Sequence, residues 1–363
     1  MRELDAMERA LELALRGWGR VSPNPLVGAV LLRGEEPIGE GYHAEFGEPH
    51  AEIRAIASCE DPKGATLVVN LEPCAHHGKT PPCADALIEA RVSRVVFAVR
   101  DPDPRAGGGA ERLRSAGIEV EIGLLAERAA ALNAPFLWGR VRPRRPFVAL
   151  KLATSLDAFI ADRSGESRWI SSEEARDYVQ WLRAGFDALA VGRRTAETDD
   201  PELTVRGSTC PRAAPTRVVF TASGKLSADL RIVETAREVP TVLVAVGGGD
   251  AEGRGVPQLQ ELGVDVLAAA DLGAALALLR DRGVVSLLVE GGGALAGALL
   301  DADLVDRLYW IQASRWLGGG VPAFASRRAV SLEESPRWVV TERRSLGPDT
   351  LLVVDRELCS RVS

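Results

Sequence analysis

Apolar-rich runs and helix-like segments alternate along the first 140 residues of the chain. Runs of strand length are predicted at 26–32, 37–42, 66–71, 94–99 and 117–122. Gly34 and Glu35 separate the first two runs, which predicts a hairpin. Helices are predicted at the amphipathic N-terminus, from residue 50, over 82–90 and 108–116, and finally up to residue 138. Strands that alternate with helices in this way predict an α/β sheet covered on both faces.

A second series of apolar runs follows a basic, proline-interrupted stretch at 139–146. The runs lie at 147–152, 186–191, 217–221, 242–246, 285–290 and 307–312, with a closing pair near 338–342 and 351–355. The chain has 363 residues, which is long for one core, so 139–146 is predicted to be a solvated linker. The predicted domains are 1–145 and 146–363, and the glycine-rich stretch 247–253 is predicted to be a structural loop.

Composition narrows the class of protein. The formal net charge is −7, and the first domain is slightly more acidic than basic, so no attraction to nucleic acid is expected. No apolar run approaches the roughly 18 residues that span a bilayer. The N-terminal segment carries both signs of charge, unlike a signal or transit peptide, and the five cysteines are an odd number. We therefore expect a cytoplasmic protein without membrane contact, in which Cys59, Cys210 and Cys359 are ordinary residues.

Three short segments combine the residue types of a catalytic zinc site: Pro49-His50-Ala51-Glu52, Glu72-Pro73-Cys74 and Pro81-Pro82-Cys83. Zinc in proteins binds imidazole nitrogen and thiolate sulfur, and three protein ligands leave the fourth position open to water. His50 and Glu52 are two residues apart, so they can serve one site only if it lies over the first turn of a helix. Proline is tolerated in first turns, and Thr80 is a candidate N-cap for the second helix.

The predicted zinc ligands are His50, Cys74 and Cys83, with one zinc ion per chain. Two thiolates neutralise a divalent cation, which leaves Glu52 as the general acid and base. A structural zinc site is the alternative, because His43, His76 or His77 could supply a fourth ligand.

The zinc segments resemble the cytidine-deaminase superfamily, but eight residues rather than two separate the cysteines. That long insert resembles the bifunctional riboflavin-biosynthesis deaminase/reductase family. Further stretches carry the same resemblance in the same order, at 23–28 (PNPLVG), 47–52 (GEPHAE), 101–104 (DPDP), 151–157 (KLATSLD), 165–170 (GESRWI), 199–206 (DDPELTVR) and 290–292 (EGG). The resemblance covers nearly the full length of the chain.

This resemblance implies a cytidine-deaminase-like α/β/α domain followed by a dihydrofolate-reductase-like α/β domain. It implies hydrolytic deamination of 2,5-diamino-6-(5-phosphoribosylamino)pyrimidin-4-one. NADPH-dependent reduction of 5-amino-6-(5-phosphoribosylamino)uracil to the ribitylamino product would follow. The partners would be these small phosphoribosylaminopyrimidines and a second copy of the chain, through the reductase domain. The alternative is a deaminase of another base or of nucleic acid, with an inactive reductase-like domain.

The resemblance also assigns residues to each site. The deaminase substrate contacts are Asn24, His43, His76 and Lys79. The NADPH contacts are Ala153, Trp169, Thr195, Asp199, Ser223, Gly292, Gly293, Ala294, Leu295, Ala296, Gly297 and Ala298. The reductase substrate contacts are Ser167, Arg183, Leu203, Arg206 and Glu290. In physical terms, glycines between a strand and a helix let backbone amides reach a phosphate, and arginines are reasonable phosphate partners.

The sequence departs from the family pattern mainly in the second domain. Ala158 and Phe159 replace the usual glycine and basic residue. Asp162 replaces a small or hydroxyl residue, Thr221 replaces aspartate, and Ser314 replaces proline. In the first domain, Lys79 stands where arginine is frequent, which keeps the charge but loses the bidentate fork.

Overall fold

A computed structural model describes residues 1–76, 81–103, 106–248, 255–325, 328 and 330–356. The described chain forms two compact units, which meet in sequence between Arg142 and Pro143. No helix among the described residues is both long enough and apolar enough to cross a membrane.

The first unit is a five-stranded sheet with helices. Its elements are α1 (Glu3–Leu15), β1 (Gly28–Arg33), β2 (Glu36–Tyr42), α2 (Ala51–Ala57), β3 (Thr66–Leu71), α3 (Cys83–Glu89), β4 (Arg94–Val99), α4 (Gly109–Ser115), β5 (Glu119–Ile122), α5 (Ala126–Leu132) and α6 (Ala134–Val141). The strand order is β2-β1-β3-β4-β5. The hairpin partner β2 and its neighbour β1 are antiparallel, whereas β3, β4 and β5 are parallel.

The burial of the central strands confirms the prediction of a sheet covered on both faces. Nearly every residue of β1, β3 and β4 is buried, which requires cover on both sides of the sheet. The amphipathic N-terminal helix is also confirmed, and it buries Met7 and Leu11 in this core. A Cβ atom at Gly28 would lie 2.0 Å from the Ala10 carbonyl oxygen, so α1 can pack this closely on β1 only over a glycine.

The prediction of one last helix up to residue 138 is wrong. Asn133 interrupts it, because its side chain accepts a hydrogen bond from Leu26 N at 2.8 Å and donates to Leu26 O at 2.9 Å. The chain therefore divides into α5 and α6, and α6 continues to Val141. The first three residues of the predicted linker are consequently helical.

The second unit is built on one nine-stranded sheet. Its elements are β6 (Phe147–Thr154), β7 (Phe159–Ala161), α7 (Glu173–Ala184), β8 (Ala188–Gly192), α8 (Arg193–Asp199), β9 (Thr216–Thr221), α9 (Arg231–Glu234), β10 (Thr241–Val246), α10 (Val256–Glu261), β11 (Val264–Ala269), α11 (Leu272–Asp281), β12 (Ser286–Glu290), α12 (Gly293–Asp301), β13 (Arg307–Gln312), β14 (Val321–Pro322), β15 (Trp338–Leu346) and β16 (Asp349–Arg356). The order is β11-β10-β9-β8-β12-β6-β13-β16-β15.

Seven neighbouring strands of this sheet, from β11 to β13, are parallel, and β16 and β15 are added antiparallel at one end. The eight predicted strands are present. Sequence reasoning missed β7, β11 and β14, of which β7 and β14 form a separate two-stranded ribbon. In the predicted loop at 247–253, Gly247 and Gly248 form a bend, and residues 249–254 lie outside the described residues.

The basic stretch before β6 is not simply a solvated linker. Arg145 forms two short contacts with Asp306, Nη1–Oδ2 at 2.6 Å and Nη2–Oδ1 at 2.7 Å. Asp306 also accepts a hydrogen bond from Val148 N at 2.9 Å. The prediction that this charge is solvated is therefore wrong for Arg145, which belongs to the second unit. The functional boundary at residue 145 stays a prediction, and the compact units divide three residues earlier.

Candidate active sites

The three predicted zinc ligands converge in the first unit. His50 is the N-cap of α2, Cys74 lies in the loop after β3, and Cys83 is the first residue of α3. His50 Nδ1 lies 3.2 Å from Cys83 Sγ and 3.7 Å from Cys74 Sγ, and all three ligand atoms lie within 4.8 Å of one another. Tetrahedral zinc with its usual bond lengths separates nitrogen and sulfur ligands by about 3.6 Å. The donor set and its spacing therefore fit a zinc ion.

The protonation of the two thiols also fits a divalent cation. The hydrogen bond from Cys83 to Cys74, with a further contribution from His50, lowers the pKa of Cys74 to about 4 despite its burial. The same bond, burial and the neighbouring charges raise the pKa of Cys83 well above its ordinary value. The backbone N–H of Cys83 also donates to Cys74 Sγ at 3.3 Å. Zinc binds the thiolate form of cysteine, so the lowered pKa of Cys74 favours metal binding, and a cation that binds the pair releases the proton of a remaining thiol.

Glu52 lies beside this cluster. It is in the first turn of α2, is only 4% exposed, and lines the same cavity as His50 and Cys74. Burial raises the pKa of the Glu52 carboxyl to about 7. The sequence predicts that His50 and Glu52 serve one site only if that site lies over the first turn of a helix. The structure confirms this, because His50 is the N-cap of α2 and Glu52 lies in its first turn.

The cavity beside the cluster has a volume of about 420 Å³, within the range of small-molecule sites. Asn24, His43 and His76 line it. The Asn24 amide donates to His43 Nε2 at 3.1 Å, so Nδ1 carries the imidazole proton and donates to Pro49 O at 3.3 Å. Burial lowers the pKa of His43, which keeps the ring neutral. Both ring nitrogens are engaged, so His43 is not available as a fourth zinc ligand.

Three residues that the sequence analysis invoked, His77, Lys79 and Thr80, lie outside the described residues. The observed N-cap of α3 is Pro82. Among the residues that the structure describes, the metal-ligand cluster has three members, which matches the open, catalytic arrangement rather than a closed structural one.

Sequence reasoning missed a second wall of this cavity, formed by Asp101, Asp103, Phe136 and Arg140. The segment that contains Asp101 and Asp103 (DPDP, 101–104) was noted only for its resemblance to the family, and no role was assigned to it. Arg140 lies in the stretch 139–146, which was predicted to be a linker. The signal that could have found Arg140 is helical spacing from Phe136, four residues earlier.

The second unit contains a larger cavity, of about 1000 Å³, at the carboxyl ends of parallel strands β6, β8 and β12. Such an edge is the usual ligand position in α/β sheets. Most of the predicted reductase residues lie on its wall, namely Ala153, Ser167, Trp169, Arg183, Thr195, Asp199, Leu203, Arg206, Glu290, Gly292, Gly293 and Ala294. The structure thus brings together residues that are up to 141 positions apart in sequence (153 and 294).

Five predicted NADPH contacts are not on that wall. Ser223 lies in the turn after β9, where its hydroxyl is 3.2 Å from Thr221 Oγ1. Ala296 and Gly297 are buried within α12, Leu295 packs against the core, and Ala298 is exposed on the same helix. These assignments stay predictions.

The approach to α12 depends on glycine. Gly292 has φ +77°, and a Cβ atom there would lie 2.9 Å from Thr195 Oγ1. Thr195 is on α8, the helix that ends at Asp199. This glycine therefore lets the turn before α12 pack closely against Thr195 of α8, at the wall of the cavity.

Glu290, at the end of β12, is engaged by Arg183. The contacts are Nε–Oε1 at 2.6 Å and Nη2–Oε2 at 3.0 Å, and Arg183 Nη1 also donates to Thr204 O at 3.0 Å. Lys151, which sequence reasoning missed, is the registered neighbour of Glu290 on β6 and lines the same cavity. Burial lowers the pKa of the Lys151 ammonium, against the opposing charge of Glu290.

The two predicted phosphate-binding arginines therefore differ. Arg183 is 12% exposed and committed to Glu290 and Thr204. Arg206 is 63% exposed and makes a 3.3 Å ion pair with Glu202 at the cavity wall. Of the two, Arg206 is the one placed to meet a charged group entering from solvent.

The departures from the family pattern have local structural accounts. Ala158 has φ +62°, in the left-handed region that favours glycine. Asp162 Oδ1 accepts hydrogen bonds from Ser164 and Glu166 backbone N–H groups, so it stabilises its own turn. Thr221 Oγ1 accepts from Ser223 N at 3.2 Å, and Ser314 donates to Pro348 O at 2.6 Å.

Comparison with known proteins agrees with both halves of this description. A family model described as the cytidine and deoxycytidylate deaminase zinc-binding region matches residues 2–99, and the RibD C-terminal domain matches residues 146–352. A riboflavin biosynthesis protein RibD from Actinobacillus pleuropneumoniae is 42% identical over 328 residues, 88% of this chain and 85% of that protein. The Escherichia coli K12 protein of the same name is 40% identical over 372 residues, 95% of this chain and 97% of that protein.

A solved structure from Thermotoga maritima is similar over 98% of both chains, with a TM-score of 0.83 and 36% identity. It is described as a diaminohydroxyphosphoribosylaminopyrimidine deaminase/5-amino-6-(5-phosphoribosylamino)uracil reductase. The fold and the sites thus define a two-domain enzyme, a deaminase with a zinc-binding region joined to a reductase. The chain belongs to the RibD family of riboflavin biosynthesis and has the deaminase and reductase activities of that family. This confirms the fold class, the family and the pair of activities expected from the sequence.

Proposed function

We propose that residues 1–145 deaminate 2,5-diamino-6-(5-phosphoribosylamino)pyrimidin-4-one and that residues 146–363 reduce the resulting 5-amino-6-(5-phosphoribosylamino)uracil with NADPH. The observation that carries the proposal is the His50, Cys74 and Cys83 cluster, with buried Glu52 beside it, at the floor of a substrate-sized cavity. The match over nearly the whole chain favours this reading over a deaminase with an inactive second domain.

In the first unit His50, Cys74 and Cys83 would hold Zn²⁺. When bound, zinc lowers the pKa of a water molecule in its open position, which makes a nucleophile at neutral pH. Glu52 is the proton carrier: its carboxylate takes a proton from the attacking water and delivers it to the pyrimidine ring nitrogen. It then takes the proton of the newly added hydroxyl group and delivers it to the departing amino group, which leaves as ammonia while the ring carbonyl forms. A buried carboxyl with a raised pKa is suited to hold and release that proton near neutral pH.

Substrate contacts in this cavity are assigned to Asn24, His43, His76 and Lys79. The hydrogen bonds of Asn24 and His43 support different roles for these two residues. His43 is neutral and held by Pro49 O, and its Nε2 accepts from Asn24, so it orients the Asn24 amide. The Asn24 carbonyl oxygen is then turned away from His43 and can accept a hydrogen bond from a substrate amine.

The second unit offers the larger cavity for NADPH and the uracil product of the first step. NADPH supplies a hydride to the ribosyl C1′. Gly292 and Gly293, which precede and begin α12, line this cavity together with Thr195 and Asp199, and they are the residues proposed to contact the cofactor. Ser167, Leu203 and Arg206 line the substrate side of the cavity. Glu290, fixed by Arg183, presents a buried carboxylate there.

We also propose that the protein forms homo-oligomers through the second unit. Strand β15 is one of the two edge strands of the nine-stranded sheet, and Val339 and Val340 on it are 37% and 41% exposed. Unpaired edge strands with apolar side chains favour pairing with another copy. Val340→Lys should lower the mass measured by light scattering. An unchanged mass would count against this edge. A cytoplasmic location is part of the proposal, because thiolate ligands need a reducing compartment.

A single variant tests the proposed chemistry of the first step. Glu52→Gln keeps the shape of the side chain but cannot carry a proton, so ammonia release should fall by at least ~10²-fold while zinc content stays normal. Glu48→Gln, on the rim of the same cavity, is the matched control and should retain activity. Near-normal turnover by Glu52→Gln would refute the role of Glu52.

A further inference from the structure

We propose that Arg140 is a substrate-binding residue of the deaminase site and that it recognises the 5′-phosphate of the pyrimidine substrate. The inference rests on the proposed function of the first unit and adds a residue that the family resemblance does not assign. Arg140 is in the last turn of α6, just before the end of the unit, and it lines the cavity that contains the zinc cluster.

The charge of the cavity wall motivates the inference. Five carboxyl groups line the cavity, from Glu48, Glu52, Glu72, Asp101 and Asp103. Among the described residues of that wall, Arg140 is the one arginine or lysine. These carboxylates repel a phosphate dianion, so the phosphate is expected to bind beside a cation such as Arg140.

The Arg140 guanidinium is held in place by two neighbours on the wall. Its central carbon lies 5.2 Å from the centre of the Phe136 ring, one helical turn earlier. Its Nη1 lies 3.1 Å from Asp103 Oδ2. Stacking and an ion pair together restrict a side chain that is otherwise flexible, and a restricted guanidinium loses less entropy when it binds an anion.

Asp103 is itself firmly positioned. Its N–H donates to Asp101 Oδ1 at 2.9 Å, and its carbonyl oxygen accepts from Ala106 and Gly107 N–H groups at 2.9 and 2.8 Å. The contact with Asp103 is made through Nη1, and among the described residues Nε and Nη2 of Arg140 form no hydrogen bond. Those N–H groups have the fork geometry that binds two phosphate oxygens.

The test uses the full-length protein without NADPH, so that only deamination proceeds. Ammonia release is measured on the phosphorylated diaminopyrimidine and on the same riboside without its phosphate. Arg140→Met should raise KM for the phosphorylated substrate by about 10-fold or more, with kcat nearly unchanged, because a phosphate contact is made equally in the ground and transition states. KM for the dephosphorylated riboside should not change.

Arg142→Met is the matched control. Arg142 follows the same helix and stacks on Trp138 at 4.5 Å, but it does not line the cavity. It should leave both KM values unchanged. Ribose 5-phosphate provides an independent readout: it should inhibit deamination by the wild-type protein competitively, and much more weakly in Arg140→Met.

The outcomes separate the inference from the proposed function. If Arg140→Met raises KM equally for both substrates, or for neither, Arg140 does not bind the phosphate. If the wild-type protein with its zinc releases no ammonia from either substrate, the proposed deaminase function is wrong and this inference fails with it. Selective loss of affinity for the phosphorylated substrate supports the assignment.

Discussion

Arg183 and Glu290 form a two-contact ion pair beneath the reductase cavity, although 107 residues separate them in sequence. Both side chains are at least 88% buried, and Arg183 is further held by Thr204 O. The family resemblance placed both residues at the substrate without indicating that they bind each other. Replacement of either residue is therefore expected to change both the stability of the second unit and the shape of the cavity that the pair lines.

Replacement of Arg183 alone should lower the free energy of unfolding of the second unit. Arg183→Met leaves the buried Glu290 carboxylate without its two-contact ion-pair partner, which should destabilise the second unit by about 3–5 kcal/mol in urea unfolding. The double variant Arg183→Met/Glu290→Met should recover part of that loss, because it removes both members of the ion pair and leaves only Lys151 without its opposing carboxylate. Arg206→Met, at an exposed position, is the control and should change stability by less than ~0.5 kcal/mol. Equal stability of the Arg183 and Arg206 variants would contradict the account.

The Arg183–Glu290 pair also predicts how the free energy of unfolding of the second unit depends on pH. The direction of that dependence should reverse when Arg183 is replaced. Burial alone would raise the pKa of Glu290, but Arg183 and Lys151 outweigh it and hold that pKa below 4.5. A lowered folded-state pKa contributes stability that is complete above about pH 4.5 and is lost as pH falls through the folded value. In Arg183→Met burial should dominate and raise the pKa above 4.5, so acidification from neutral pH should then stabilise the second unit. If the free energy of unfolding changes with pH in the same direction in Arg183→Met as in the wild type, Arg183 does not set the pKa of Glu290.

Ala158 predicts a stabilising substitution. It has φ +62° in the turn between β6 and β7, where an L side chain is strained and glycine is not. Ala158→Gly should raise the free energy of unfolding by about 0.5–1 kcal/mol, since relief of strain exceeds the added chain entropy. Ala268→Gly, at an exposed position of β11, should be destabilising instead. Destabilisation by Ala158→Gly would show that the turn is not strained.

Zinc binding should depend on the cluster and be confined to the first unit. Cys83→Ala should lose most of the roughly one zinc per chain, and with it ammonia release, because two ligands seldom hold zinc. NADPH-dependent reduction of the uracil substrate, supplied directly, should persist. Cys210→Ala changes an exposed cysteine that is not a member of the cluster, and it should behave as wild type. Full metal content by atomic absorption in Cys83→Ala would refute the ligand set.

The chain should divide into two active pieces between Arg142 and Pro143. The cut belongs there, rather than after residue 145, because Arg145 is paired with Asp306 inside the second unit. Residues 143–363 should therefore be more stable in thermal unfolding than residues 147–363. Residues 1–142 should bind zinc and residues 143–363 should oxidise NADPH with the uracil substrate. An insoluble, metal-free first piece would argue against an autonomous deaminase unit.

The sequence could predict much of the fold because its strands are continuous apolar runs. It identified β3 with both bounds correct and the hairpin of β1 and β2 nearly so. It missed β11, where exposed and buried residues mix, and the break at Asn133, which depends on a hydrogen bond to Leu26 more than a hundred residues away. Such long-range contacts leave no local signal in the chain.

The zinc cluster was predictable for a similar reason. His50, Cys74 and Cys83 are residue types with few other uses in such a pattern, and their neighbouring prolines indicate helix starts. Lys151 and Arg140 were not predictable, because a lone cation in a sequence is most often solvated. Lys151 acquires a role only because β6 pairs with β12, which places it beside Glu290. Arg140 acquires one only because α6 forms part of the wall of the first unit's cavity.

The most direct test of two consecutive reactions in one chain is the mass of the product made by the wild-type protein. The diaminopyrimidine phosphate is incubated with zinc-loaded protein, with and without NADPH. The account predicts only the deaminated uracil without NADPH, and the further reduced ribitylamino product when NADPH is present. Deaminated material that accumulates unchanged with NADPH, or reduction of the diamino substrate before deamination, would contradict it.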